Sequence, residues 1–131
     1  MDRITCIEVF TAASLALVSL SHICQPRLWA QLFIDLMQRP YAGLYVGTFT
    51  LPLGLLIALG HNLWVWDIPV IVTIIGWGWT LKGSIYLLRP ATLQQAGARH
   101  MQHPRRFQIA GAIGLVAAMA VAANIVADRI P

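Results

Sequence analysis

Four apolar stretches, each long enough to cross a bilayer, alternate with short polar connectors along the chain. They cover residues 4–24, 41–60, 68–88 and 107–127. An α-helix rises about 1.5 Å per residue, so about 20 residues cross a hydrocarbon core of about 30 Å. The pattern predicts an all-α polytopic membrane protein in which residues 1–131 form one compact bundle of four transmembrane helices.

Two further segments lie between these stretches. Residues 28–37 are apolar but too short to cross a membrane, and they carry Gln31 and Asp35. They are expected to form a short interfacial helix on the membrane surface. Residues 91–106 are polar and are predicted to be a long loop, and Pro52 predicts a kink in the second span.

Composition supports a membrane location, because 58% of the 131 residues are hydrophobic and only 11% are charged. A soluble domain of this length has no means of burying so much apolar surface. Most Trp and Tyr residues lie at the ends of the apolar stretches, which is where amphipathic rings anchor a helix at the membrane interface.

The distribution of positive charge predicts the orientation and the partner. The connectors at residues 25–40 and 89–106 hold most of the arginines, which are Arg27, Arg39, Arg89, Arg99, Arg105 and Arg106, whereas Arg3 and Arg129 lie on the other side. Arginine and lysine are retained in the cytoplasm, so both connectors are expected there and both termini outside, in a bacterial inner membrane. The net charge of +4 then favours anionic lipid headgroups as the partner of the basic connectors rather than nucleic acid.

Small residues form a stripe along three of the predicted spans. Close approach of small residues drives much of the helix association in lipid. The stripes comprise Gly43, Gly47, Thr50 and Gly54; Thr73, Gly76, Thr80 and Gly83; and Ala110, Gly114, Ala118 and Ala122. They predict tight helix packing, either within the chain or between chains.

Glu8 is the only carboxylate inside an apolar span. Carboxylates in that setting are candidates for proton or cation coupling, and pairing with Arg129 is the structural alternative. His61, Asn62, Asp67 and Asn124 are expected near the same membrane face, where they would line a polar vestibule together with Glu8. In the alternative interpretation, Asp67 caps the third span and His61 and Asn62 are turn residues.

Lys82 is a charge well inside the third span, about 9 Å from Leu88 at the end of that span. Trp79 and Tyr86 share its helical face by their spacing. The sequence predicts that Lys82 extends to the interface and contacts a lipid phosphate, Asp35 or backbone carbonyls. The functional alternative is a closed cavity in which Lys82 binds an anion or substrate, walled by Trp77, Trp79 and Tyr86.

No cofactor or metal site and no catalytic motif are predicted, and an enzyme is not favoured. His22 and His61 are placed at opposite ends of the bundle, and His100 and His103 lie among arginines that disfavour a cation. Cys6 and Cys24 would be about 27 Å apart in one helix, too far for a disulfide.

Two functional hypotheses follow. The first is helix-mediated assembly, as a homo-oligomer or as an accessory subunit of a membrane complex. The second is a small oligomeric transporter in which Glu8 or Lys82 binds a proton, cation or anion. A polar cavity that reaches the middle of the bilayer would distinguish the second from the first.

Overall fold

The computed structural model describes residues 1–100 and 103–128, with the side chains of residues 96 and 98–100 left aside. These residues form six helices: α1 (Arg3–Cys24), α2 (Pro26–Met37), α3 (Ala42–Gly60), α4 (Val70–Leu88), α5 (Ala91–His100) and α6 (Pro104–Ala127). Among the described helices, α1, α3, α4 and α6 are long and apolar enough, by length and composition, to cross a membrane. The predicted all-helical fold with four candidate spans is confirmed.

The helix boundaries follow from local chemistry. The Oδ1 of Asp2 accepts a hydrogen bond of 2.8 Å from the backbone N–H of Thr5, which caps the start of α1. Pro26 begins α2 and Pro104 begins α6, at the first helical position where proline loses no intrahelical bond. The helix α3 continues through Pro52.

The predicted short helix is present, and it begins at Pro26, two residues before the predicted start at Leu28. The prediction of a polar loop over residues 91–106 is wrong at both ends, because Ala91–His100 is helical and α6 already begins at Pro104. Alanine and glutamine favour a helix in this segment, and its one leucine, Leu93, is buried against Ala42 and Tyr86. Burial of Leu93 thus docks α5 on α3 and α4, although the overall polarity of the segment is typical of a loop.

The small-residue faces of α3 and α4 pack against each other, antiparallel and within the chain. A Cβ added to Gly83 would lie 2.6 Å from the backbone nitrogen of Leu51, and one added to Gly76 would lie 2.8 Å from that of Ala58. Gly54 is in similar contact with the backbone of Thr80. The two backbones therefore approach so closely that only glycine fits at these positions.

The helix α6 packs against α1 through only part of the predicted stripe, namely Gly114 and Ala118. The structure buries Phe107, Gly111, Ala118 and Val121, whereas Ala110 and Ala122 of the predicted stripe are exposed. A strict spacing of four residues drifts around a helix that has 3.6 residues per turn, so the predicted stripe leaves the contact line. Gly114 stays in contact, against the side chain of Ser19.

The bundle thus consists of two helix pairs, α1 with α6 and α3 with α4. We call the end where α1 starts and α3 finishes the Glu8 end, and the opposite end, which carries α2 and α5, the Lys82 end. Towards the Glu8 end, the pairs are joined by a buried apolar cluster with one residue from each span, namely Ala12, Ile57, Val72 and Val121. Towards the Lys82 end the pairs separate and enclose a cavity.

Candidate functional site

A buried polar cluster of Glu8, His61 and Thr73 joins the two helix pairs at the Glu8 end. The Oε1 of Glu8 lies 3.0 Å from the Nε2 of His61, and the Nδ1 of His61 lies 3.1 Å from the Oγ1 of Thr73. Glu8 is 7% exposed, and His61 and Thr73 are 0% exposed. Because unpaired polar groups are costly at this depth, each of these groups is held by its partner.

The Thr73 hydroxyl fixes the connector between α3 and α4. It accepts from the backbone N–H of Leu63 at 3.1 Å and lies 2.9 Å from the carbonyl oxygen of Leu63 and 3.3 Å from that of His61. The hydroxyl has one proton, so which of the nearby acceptors receives it depends on the tautomer of His61. The cluster is thus a chain of polar contacts that runs from the backbone of Leu63 through the hydroxyl of Thr73 and the imidazole of His61 to the carboxyl group of Glu8.

The 3.0 Å contact between the Nε2 of His61 and the Oε1 of Glu8 gives the carboxyl group of Glu8 a polar partner inside an apolar span. This pairing lowers the cost of placing the group there.

Thr11 lies one helical turn beyond Glu8 on α1. Its side chain is 4% exposed, and its Oγ1 has no hydrogen-bond partner within the described part of the chain. Sequence reasoning did not single out this residue, because a lone threonine in an apolar span normally bonds to its own helix.

The other residues of the predicted vestibule do not join this cluster. The Oδ1 of Asn62 accepts from the indole N–H groups of Trp64 and Trp77, at 2.9 Å and 3.2 Å. Asp67 is exposed, and its Oδ1 accepts from the N–H of Ile68 just before α4. Asn124 donates to Asp128. The predicted partner of Glu8, Arg129, lies outside the described residues.

At the Lys82 end, a cavity of about 690 Å³ lies between the helix pairs. Its lining is mainly apolar and aromatic, with basic groups added. It comprises Leu15, Val18, Ser19, His22, Trp29, Phe33, Phe49, Thr50, Leu53, Trp79, Lys82, Arg106, Phe107, Ala110 and Gly114. Every described helix except α5 contributes to this wall.

Lys82 lies on the wall of this cavity, beside Trp79. Its Nζ lies 5.7 Å from the ring centroid of Tyr86, the cation–π contact that the spacing of four residues predicts. Trp77, proposed as a further wall residue, instead faces Asn62 near the Glu8 end. Asp35, proposed as a partner, accepts a hydrogen bond of 2.8 Å from Gln31.

The short helix α2 closes one side of the cavity through an aromatic cluster. The ring of His22 lies 4.2 Å from that of Trp29 and 5.5 Å from that of Phe107, and Phe33 lies 5.4 Å from Phe107. The indole N–H of Trp29 donates to the hydroxyl of Ser21 at 2.9 Å. Sequence reasoning did not indicate that α2 completes a cavity, because that depends on how α2 docks on α1 and α6.

Metal chemistry finds no support in the described geometry. Within residues 1–100 and 103–128, no three His, Cys, Asp or Glu side chains converge on a metal-sized site. Cys6 and Cys24 are free and exposed. The side chain of His100 lies outside the described part of the structure, so the statement that His100 and His103 do not form a cation site stays a prediction from the sequence.

No known protein family, curated protein or solved structure matches the chain.

Proposed function

We propose that this protein binds an anion inside the membrane, in the manner of a small transporter, and that Lys82 is the centre of the binding site. The observation that carries this proposal is the cavity between the helix pairs, with Lys82 on a wall that is mainly apolar and aromatic. Ionisable residues at membrane depth are functional candidates by default.

The charges around the cavity favour an anion. The basic residues Lys82, Arg106 and His22 line it, and no carboxylate is among the lining residues. Charges attract more strongly in a low-dielectric setting than in water, so an anion beside Lys82 would offset part of the cost of placing the ammonium group inside a membrane.

The cavity reaches towards the middle of the bilayer, as expected for a transporter, but its wall is mainly apolar rather than polar as expected. The difference between the two ends of the bundle gives further support to a transporter. The Glu8 end is closed by the apolar cluster and by the contact between Glu8 and His61, whereas the Lys82 end is open. Alternating access generally arises when one helical unit rocks against another around a fixed site. The two helix pairs of this chain are units of that kind.

We further propose that the Lys82 end faces the cytoplasm, as in a protein of the bacterial inner membrane with both termini outside. The connectors next to the cavity carry Arg27, Arg39, Arg89 and Arg105, and the side chain of Gln94 donates to the carbonyl oxygen of Arg39, tying the two connectors together. Positive connectors of this kind are retained in the cytoplasm and attract anionic headgroups.

Helix-mediated assembly is the second proposal. The faces of α3 and α4 are used inside the chain, so its support now comes from a shallow groove between α1 and α6 lined by Ala13, Ala16, Ala122 and their neighbours. Crosslinking in native membranes tests it, and recovery of monomers alone would remove it.

Binding of alkyl phosphates to the purified protein tests the anion site. The protein is held in a neutral maltoside detergent, and its melting temperature is measured with butyl phosphate and with dodecyl phosphate. We expect at least one of them to raise the melting temperature of the wild type and of Arg105→Met, but not of Lys82→Met. Arg105 is exposed and is not part of the cavity wall, so its variant is a matched control for the loss of one positive charge.

The proposal fails if neither phosphate stabilises the wild type, or if Lys82→Met responds as the wild type does. Lys82→Met keeps the apolar stem of the side chain, so the fold is expected to survive. An unchanged melting temperature without ligand confirms that the comparison is between folded proteins.

A further inference from the structure

We infer that the ligand of this cavity is an anionic amphiphile drawn from the membrane leaflet at the Lys82 end. Its charged head lies at Lys82 and Arg106, and its alkyl chain lies along the apolar wall. This inference rests on the proposed anion site and adds the chemical class of the ligand and its route of entry.

The polarity of the wall changes with depth. Arg106 is at the start of α6 and His22 is near the end of α1, both close to the membrane interface. Lys82 lies about 9 Å below the end of α4. The deeper positions are filled by Leu15, Leu53 and Gly114. A molecule that is anionic at one end and apolar at the other matches this gradient.

The depth of the cavity corresponds to one leaflet. Counted from the Lys82 end of each helix at about 1.5 Å per residue, Leu15, Leu53 and Gly114 lie roughly 14 to 17 Å deep. A leaflet is half of a hydrocarbon core of about 30 Å, so the cavity ends near the middle of the bilayer. Beyond that depth the bundle is closed by Ala12, Ile57 and their cluster.

Several residues of the cavity wall are exposed at a depth where a membrane consists of acyl chains, namely Val18, Phe49, Leu53 and Ala110. This exposure indicates an opening between the helix pairs towards the acyl chains. An alkyl chain can therefore enter without passing through water. A small water-soluble anion would leave most of the apolar wall without a partner.

The volume fits a ligand of this kind. Ligand sites in proteins generally have about 300 to 1,000 Å³, and this cavity has about 690 Å³. The aromatic residues Trp29, Phe33 and Phe49 provide broad apolar surfaces for a flexible chain. The ligand class that fits this cavity has a phosphate or carboxylate head and one long alkyl chain. We assign the membrane as its source.

Native mass spectrometry with two probes that differ only in chain length tests the inference. The wild type is expected to retain dodecyl phosphate and to bind butyl phosphate at least about tenfold more weakly. Lys82→Met is expected to bind dodecyl phosphate about tenfold or more weakly than the wild type, because a charge-assisted contact with the head is lost. The neutral maltoside detergent supplies the same chain without the charge in every sample.

Filling part of the cavity gives a second test. Ala110→Phe places a ring in the cavity, whereas Ala112→Phe makes the same change at an exposed position of α6 outside the cavity. We expect Ala110→Phe to lower dodecyl phosphate binding about tenfold and Ala112→Phe to leave it unchanged.

The outcomes separate the two proposals. Equal binding of the two phosphates, both dependent on Lys82, overturns the amphiphile and leaves the anion site standing. Binding of neither phosphate overturns both. Equal effects of Ala110→Phe and Ala112→Phe place the alkyl chain elsewhere on the bundle and overturn the inference, provided that both variants unfold cooperatively near the wild-type temperature.

Discussion

Glu8 and His61 are 53 positions apart in the sequence, and in the structure the Oε1 of Glu8 lies 3.0 Å from the Nε2 of His61. This contact crosses from α1 to the end of α3, so it holds together two helix pairs that separate towards the Lys82 end. Glu8 therefore has a structural role, because its contact with His61 connects the two helix pairs at the Glu8 end.

Removing either member of this pair should destabilise the protein. Glu8→Ala and His61→Ala each leave a buried polar partner unsatisfied, which costs about 1 to 3 kcal/mol of unfolding free energy. Because both variants break the same contact, the double variant should cost less than the sum of the two, by about 0.5 to 3 kcal/mol. Denaturant unfolding in detergent measures all three.

Glu8→Gln is the matched control for this cycle. The glutamine amide donates to Nε2 of a neutral imidazole, so it keeps the hydrogen bond without the carboxylate. We expect Glu8→Gln to lie closer to the wild type than Glu8→Ala does. Strictly additive losses in the double variant would show that Glu8 and His61 do not interact.

Two threonine-to-valine changes separate a bonded hydroxyl from an unbonded one. Thr73→Val removes the group that holds His61 and the backbone of Leu63, and it should cost about 1 to 3 kcal/mol. The Oγ1 of Thr11 is buried without a described partner, so Thr11→Val should be neutral or stabilising. Thermal unfolding of the two variants tests this difference. A larger loss of stability in Thr11→Val than in Thr73→Val would contradict the hydrogen bonds assigned to Thr73.

Two glycines of α4 make a similar comparison for helix packing. A Cβ at Gly83 would lie 2.6 Å from a backbone atom of Leu51, whereas one at Gly78 meets nothing within 4 Å. Gly83→Ala should therefore destabilise the protein by about 1 to 3 kcal/mol through overpacking. Gly78→Ala should be neutral or stabilising by up to about 1 kcal/mol, because alanine favours a helix. Equal melting temperatures of the two variants would contradict the close approach of α3 and α4.

Hydropathy and proline placement were sufficient to predict the four candidate spans, since the membrane requirement acts on each segment separately. The helix α5 was missed because its docking depends on Leu93, Ala42 and Tyr86, which come from three different segments. Such a tertiary contact leaves little trace in local composition.

The site was predictable only in part, for a related reason. Membrane depth placed Glu8 and His61 near one face and Lys82 near the other. The rotation of each helix, which decides whether Glu8 meets His61 or Arg129, is set by packing that no single segment contains. The cavity forms only when five helices are docked. The sequence therefore identified Lys82 and Trp79 as candidates but did not predict the shape or the other lining residues of the cavity.

The proposed orientation is checked by labelling single cysteines in intact cells. Cys6 and Cys24 are first replaced by alanine, and Gln95→Cys or Trp66→Cys is then introduced, since both positions are exposed and lie at opposite ends of the bundle. A membrane-impermeant maleimide should label Trp66→Cys and spare Gln95→Cys until the cells are opened. The reverse pattern would place the Lys82 end outside.

The central claim, an anionic ligand in the cavity beside Lys82, is tested most directly by photo-crosslinking. A long-chain alkyl phosphate with a photoreactive group near the end of its chain is added to the protein in bilayers, and the labelled residues are located by mass spectrometry. The account predicts label around Leu15, Leu53 and Gly114, and its loss in Lys82→Met but not in Arg105→Met. Label confined to the groove between α1 and α6, or unchanged in Lys82→Met, would contradict it.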